Sequence, residues 1–141
     1  MTRIEHSLDI AAPAERVWAL TVDVAGWPRL TPATVTSVTR LEDTPLSVGS
    51  RTRIKQPGQR PTVWTVDRLD EPNRFRWSAK VGTISMVADH RIESTAAGCR
   101  NHLSIELGGF GSGLLARIAG ERIKATIATE NECFRRAAEA R

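Results

Sequence analysis

Apolar positions recur every second residue at the start of the chain. Ile4, Leu8 and Ile10, with His6 in phase, share one face of residues 3–10 and alternate with Arg3, Glu5, Ser7 and Asp9. That period belongs to a half-buried strand. After Pro13, whose fixed φ suits a first helical turn, the spacing changes. Ala14, Val17, Leu20 and Val24 recur at three and four residues and predict a short amphipathic helix running to about Asp23. Gly26-Trp27-Pro28 breaks it, and Pro32 ends a second short turn or helix.

From Ala33 to Gly109 the signals are those of strands. A Thr/Val-rich run with Val35 and Val38 extends to Glu42, and Val48 to Gln56 forms the next. Pro57-Gly58 has the order a type II turn prefers and reverses the chain. Thr62 to Leu69 follows, and Asp70-Glu71-Pro72-Asn73 turns again. Phe75, Trp77 and Ala79 then alternate with Arg74, Arg76 and Ser78. Ile84 to Glu93 and a last strand carrying Leu103, Ile105 and Leu107 complete the series. Connections this short favour an antiparallel meander over parallel βαβ units.

Beyond the glycine-rich stretch 108–113 the period returns to that of a helix, from about Ser112, a plausible N-cap, to Ala140. About 29 residues of helix would be roughly 43 Å long. Steps of 100° place Leu115, Ala119, Ile123, Thr126, Ile127, Phe134 and Ala137 on one broad face, with Arg117, Glu121, Lys124, Glu132, Arg135 and Glu139 opposite. An apolar face of that length must be covered, and the sheet is the only large partner. The expectation is one α+β domain over residues 1–141: a curved antiparallel sheet wrapped around a long C-terminal helix, with two short helices after the first strand and an apolar pocket between sheet and helix.

Composition narrows the function classes. The chain has 141 residues, which suits one domain. Twenty basic against sixteen acidic residues give a net charge of +4, but the arginines are scattered with no like-charge run, so nucleic-acid binding is not indicated. Cys99 and Cys133 lie far apart without CxxC spacing. The polar N-terminus is unlike a signal peptide, and no apolar run approaches the ~20 residues that span a bilayer. A reduced, cytoplasmic protein, monomer or homodimer, is expected.

Several motifs, taken in order, resemble the START-like (SRPBCC) superfamily and its polyketide cyclase/dehydrase-like bacterial members. Ile10-Ala11-Ala12-Pro13-Ala14-Glu15-Arg16-Val17-Trp18 is similar to that family's strand-into-helix opening. Asp23, Trp27-Pro28 and Pro32 stand where the family often has an Asp, an aromatic and a proline. Trp64-Thr65-Val66 with Glu71-Pro72-Asn73-Arg74-Phe75 resembles its central hairpin, and Leu114 to Glu139 its closing helix. The resemblance spans the whole chain and implies a helix-grip fold with a cavity for lipids, polyketides or other apolar molecules. It does not imply a reaction, because members range from carriers to cyclases.

The candidate site residues follow from facing and chemistry. Trp27, Trp64, Phe75 and Trp77 are the large aromatics that core packing or a pocket wall would use, and Met86 is a pliant neighbour. Leu103, Ile105, Leu107, Phe110, Leu115, Ile118 and Ile123 complete the candidate lining. His90 shares parity with Met86, Ala88 and Ile92; it is either a satisfied core residue or a polar group that orients a ligand and handles a proton. Glu130 falls within the apolar helix face, where a carboxylate must be paired, protonated or near an opening. Arg122, close to that face, suits snorkelling.

His6, His90 and His102 lie on different strands with no local ligand pair, and no cofactor motif is present, so neither metal nor cofactor is expected. There is no GxSxG elbow and no tyrosine. The leading expectation is binding or transport of a hydrophobic or amphipathic small molecule such as a lipid or polyketide. The alternative is a cyclase- or dehydratase-like enzyme using His90 or Glu130 as acid/base.

Overall fold

The computed structural model describes residues 2–140. β1 (Thr2–Ile10) leads into α1 (Ala14–Val22), a 3₁₀ turn (Val24–Gly26) and α2 (Trp27–Leu30). Six strands follow: β2 (Ser37–Arg40), β3 (Arg51–Lys55), β4 (Thr62–Asp70), β5 (Arg74–Val81), β6 (Ile84–Thr95) and β7 (Gly98–Gly109). α3 (Ser112–Glu139) closes the chain. All seven strands form one antiparallel sheet in the order β1-β7-β6-β5-β4-β3-β2. The meander from β2 to β7 is therefore continuous, and β1 closes on the last strand. This is the helix-grip arrangement, with α3 lying on the concave face chiefly against β1 and β7.

Strand alternation sets the facing. Along β5, Phe75, Trp77 and Ala79 are buried, while Arg74, Arg76 and Ser78 are part-exposed on the other side. That outer face is laced with ion pairs. Arg74 meets Asp89 through two hydrogen bonds, of 3.2 and 2.7 Å, and Arg76 meets Asp67 at 2.8 Å. A register shift between Val66 and Arg68 bends β4 and sharpens the curl of the sheet.

Two boundaries differ from the sequence reading for local reasons. The strand expected across 33–42 shortens to Ser37–Arg40, because the backbone N–H groups of Thr34 and Val35 bond back to the Thr31 carbonyl and hold that stretch as a turn. Ser112 is not the N-cap. Gly111 occupies that position with φ at 89°, a left-handed conformation glycine adopts without strain, and Ser112 is already helical and buried. At Gly109, also at φ 89°, any Cβ would collide with the Thr83 carbonyl of the neighbouring hairpin.

α3 divides along its length. In the C-terminal half, Asn131, Phe134 and Ala138 are fully buried. The Asn131 amide donates to the Asn101 carbonyl at 3.1 Å and pairs with His6 Nδ1 at 3.0 Å, while its Oδ1 accepts from Asn101 Nδ2 at 2.9 Å. These bonds tie α3 to β1 and β7. Arg16 on α1 donates to the Ala138 carbonyl at 3.0 Å and holds the helix end. The N-terminal half is packed more openly, and the cavity lies beneath it.

Candidate functional site

A cavity of about 270 Å³ lies between the concave sheet face and α3. The helix contributes Leu115, Ala119, Arg122, Ile123, Thr126, Ile127 and Glu130. At 100° per residue they form a stripe about 140° wide, with Arg122 at one edge, Ile127 at the other and Glu130 near the middle. The sheet supplies Ile54, Trp64, Trp77, Met86, Ala88, Leu103, Ile105 and Leu107 as the opposite wall. Trp27 and Val35 close one side, and the β3–β4 turn adds the amides of Gln56 and Gln59.

Aromatic stacking holds this wall rigid. Trp77 packs against Phe75, Trp27 and Trp64, with ring centroids 4.8, 5.3 and 5.8 Å away. The indole N–H of Trp27 donates to the Leu20 carbonyl at 3.3 Å, anchoring the ring at the end of α1. Edge-to-face pairs of this kind add to area burial and fix ring orientation.

Among the expected lining residues, Trp27, Trp64, Trp77, Met86, His90, Leu103, Ile105, Leu107, Leu115 and Ile123 all border the cavity. Three do not. Phe75 is fully buried behind the wall, between Trp77 and His90, and serves the core. Phe110 is 87% exposed, because the chain leaves β7 at Gly109 and turns outward before α3 begins. Ile118 is 76% exposed, since it falls about 40° outside the cavity stripe of the helix. Ala119 and Thr126 were visible on the apolar helix face. Gln56 and Gln59 carried no periodic signal, since a turn residue joins a cavity only through tertiary structure.

His90 sits in an aromatic cage. Its ring lies 5.6 Å from Trp27, 5.6 Å from Phe75 and 5.9 Å from Phe134. Burial holds its pKa down at about 4, only partly offset by the negative charge of Asp89, which Arg74 already pairs. The ring is therefore neutral at pH 7. Its Nδ1 is buried with no hydrogen-bond partner. His6 and His102 are engaged elsewhere, with Asn131 and with Ser7.

Glu130 is half-buried and borders the cavity. Burial pushes its carboxyl up to about 7, and the Thr34 side chain supplies the hydrogen bond that opposes the shift. Near neutral pH it is about half protonated, so it can either donate or accept a proton. No sheet arginine forms an ion pair with it among the described residues. Two titratable groups with oppositely displaced pKa values thus border one apolar cavity, a pattern associated with functional sites.

The family model for polyketide cyclase/dehydrase and lipid transport proteins matches residues 1–139. The chain belongs to this family. The fold is similar to that of ZhuI, an aromatase/cyclase from Streptomyces sp. R1128, with a TM-score of 0.77 and 20% identity, covering 98% of this chain and 93% of that one. It is also similar to the di-domain aromatase/cyclase StfQ of the steffimycin pathway, with a TM-score of 0.79 and 12% identity, covering 97% of this chain and 50% of StfQ. The di-domain aromatase/cyclase BexL of the BE-7585A pathway gives 0.74 and 25%, covering 99% of this chain and 47% of BexL. The chain spans about half the length of these last two proteins. No curated protein sequence matches it. No helix among the described residues is long and apolar enough to cross a membrane.

Proposed function

We propose that the protein binds a hydrophobic or amphipathic small molecule, of lipid or polyketide type, between its sheet and α3. The observation that carries this reading is the cavity, about 270 Å³ in volume and bordered mainly by aromatic and aliphatic side chains. Small-molecule sites have this character: mostly apolar, with a few polar groups that fix orientation. Here those groups are His90, Glu130, Arg122 and the two glutamines. Native mass spectrometry of protein purified from its own host, followed by organic extraction, tests the reading directly. Ala119→Phe, which fills the cavity from the helix side, should abolish co-purification while leaving the melting temperature at or above that of the parent. Retention of the same ligand by the filled variant would sink the idea.

The enzymatic reading has its own support. Glu130 borders the cavity with a pKa of about 7, and His90 lies neutral against the same space. Such a pair suits proton removal and return in a cyclase- or dehydratase-like reaction. The resemblance to ZhuI and StfQ favours the same class. Under this reading Glu130→Gln abolishes turnover of a polyketide-type substrate while substrate affinity is held and the variant is at least as stable as the parent.

A further inference from the structure

We propose that the cavity takes an elongated apolar monocarboxylate, its anionic end at Arg122 in the mouth and a neutral hydrogen-bonding group at the Glu130 end. This deepens the binding reading above and rests on it.

Arg122 is the only cation bordering the cavity among the described residues. Among the described residues it makes no hydrogen bond or ion pair, a state it shares with Arg29, Arg53 and Arg117, none of which borders the cavity. It is also exposed, at the edge of the helix stripe, so its charge stays hydrated at no folding cost. A guanidinium left free at the rim of an apolar cavity is a ready partner for a carboxylate. One cation with no second positive group beside it in the lining matches one negative charge and favours a monoanion.

Glu130 fixes the orientation. It lies eight residues beyond Arg122, about 12 Å along the helix axis, and both border the same cavity. A carboxylate placed next to Glu130 would find no cation there and would meet a like charge whenever Glu130 ionises, so the anionic end belongs at Arg122. A protonated Glu130 instead offers a hydrogen bond to a hydroxyl or carbonyl. The size agrees with that span: an apolar cavity of about 150 Å³ takes one benzene, so about 270 Å³ suits a two-ring or medium-chain body. The indoles of Trp64 and Trp77 provide flat walls for a planar one.

The test compares 6-hydroxy-2-naphthoic acid, its methyl ester and 2-naphthol by isothermal titration calorimetry near pH 6, below the titration of Glu130 at about 7. The acid should bind the parent protein about tenfold more tightly than the ester. That advantage should shrink with added salt, because Arg122 lies at the solvent edge. Arg122→Gln should bring the acid down to the level of its ester. If acid and ester bind the parent equally, or if Arg122→Gln keeps the preference, the anionic end is wrong while the cavity reading stands. If none of the three binds, the cavity reading falls and takes this proposal with it.

Discussion

Replacing Glu130 by Gln isolates one half-buried carboxyl and makes a signed prediction about stability. The folded protein holds the Glu130 proton up to about pH 7, whereas the unfolded chain releases it near 4.5. Below 4.5 both states carry the proton and the group makes its full contribution. As pH rises toward 7 the unfolded chain ionises first, and stability is lost progressively. Above 7 the loss is complete. A displacement from 4.5 to about 7 corresponds to about 3 kcal/mol. Gln has the shape of the protonated acid and no charge to bury, so the variant should match the parent near pH 4.5 and exceed it by up to about 3 kcal/mol above pH 8. In a domain of this size that is a rise of on the order of 10 °C in melting temperature.

The assay is urea unfolding of parent and variant by circular dichroism across that pH range. Subtracting the two profiles removes every other titrating group, including His90, whose effect has the opposite sign. A difference that stays constant with pH would show that Glu130 is solvated or paired in the folded state, and the acid/base reading would lose its basis.

Two further substitutions probe the surroundings. His90 stays neutral to about pH 4 in the fold but protonates near 6.5 when unfolded, so the parent should lose about 3 kcal/mol as pH falls through that window; His90→Phe, which suits the aromatic cage, should flatten that part of the urea-stability profile, and an unchanged profile would contradict a buried neutral ring. Asn131→Leu should cost about 2–3 kcal/mol in urea melts despite adding apolar surface, because it leaves the Asn101 side chain unpaired in the core; replacing both asparagines by leucine should recover part of the loss, and full additivity would argue against their coupling.

The long helix and the meander were legible because their periods extend over many residues. α3 was read as Ser112 to Ala140 and runs Ser112–Glu139, and each expected strand lies within two or three residues of its place except at the β2 end. Glu130 was legible as an anomaly, since a carboxylate in the middle of an apolar stripe is visible on a helical wheel. Its surroundings were not, because Thr34 and the sheet reach it only through tertiary folding. Phe110 and Ile118 failed for the converse reason. Hydrophobicity alone does not say that a residue is buried, and Ile118, 100° round the helix from Ala119, falls about 40° beyond the edge of the cavity stripe. Asn131 carries the same lesson: a polar residue fully buried beside Phe134 looks like any exposed helix position until Asn101 and His6 are placed against it.

The division of labour along α3 explains how the fold sustains a cavity. An unfilled apolar space forfeits packing contacts and lowers stability. Here the cost is confined to one half of the helix. From Asn131 onward α3 is held by the asparagine pair, by Phe134 against Trp27 and His90, and by Arg16 on the Ala138 carbonyl. The half that roofs the cavity contributes Leu115 and Ala119, both only part-buried, and Gly120, where a Cβ would just touch Ile4. Since the anchored half sets where the helix lies, side chains on the roofing half can change without loss of the fold. Under the proposed binding function, ligand selectivity is therefore adjustable at Leu115, Ala119, Arg122 and Thr126, while Asn131, Phe134 and Ala138 hold the fold. Glu130 lies at the junction of the two halves. There, burial imposed by the anchored segment raises the pKa of a group that opens onto the space above it.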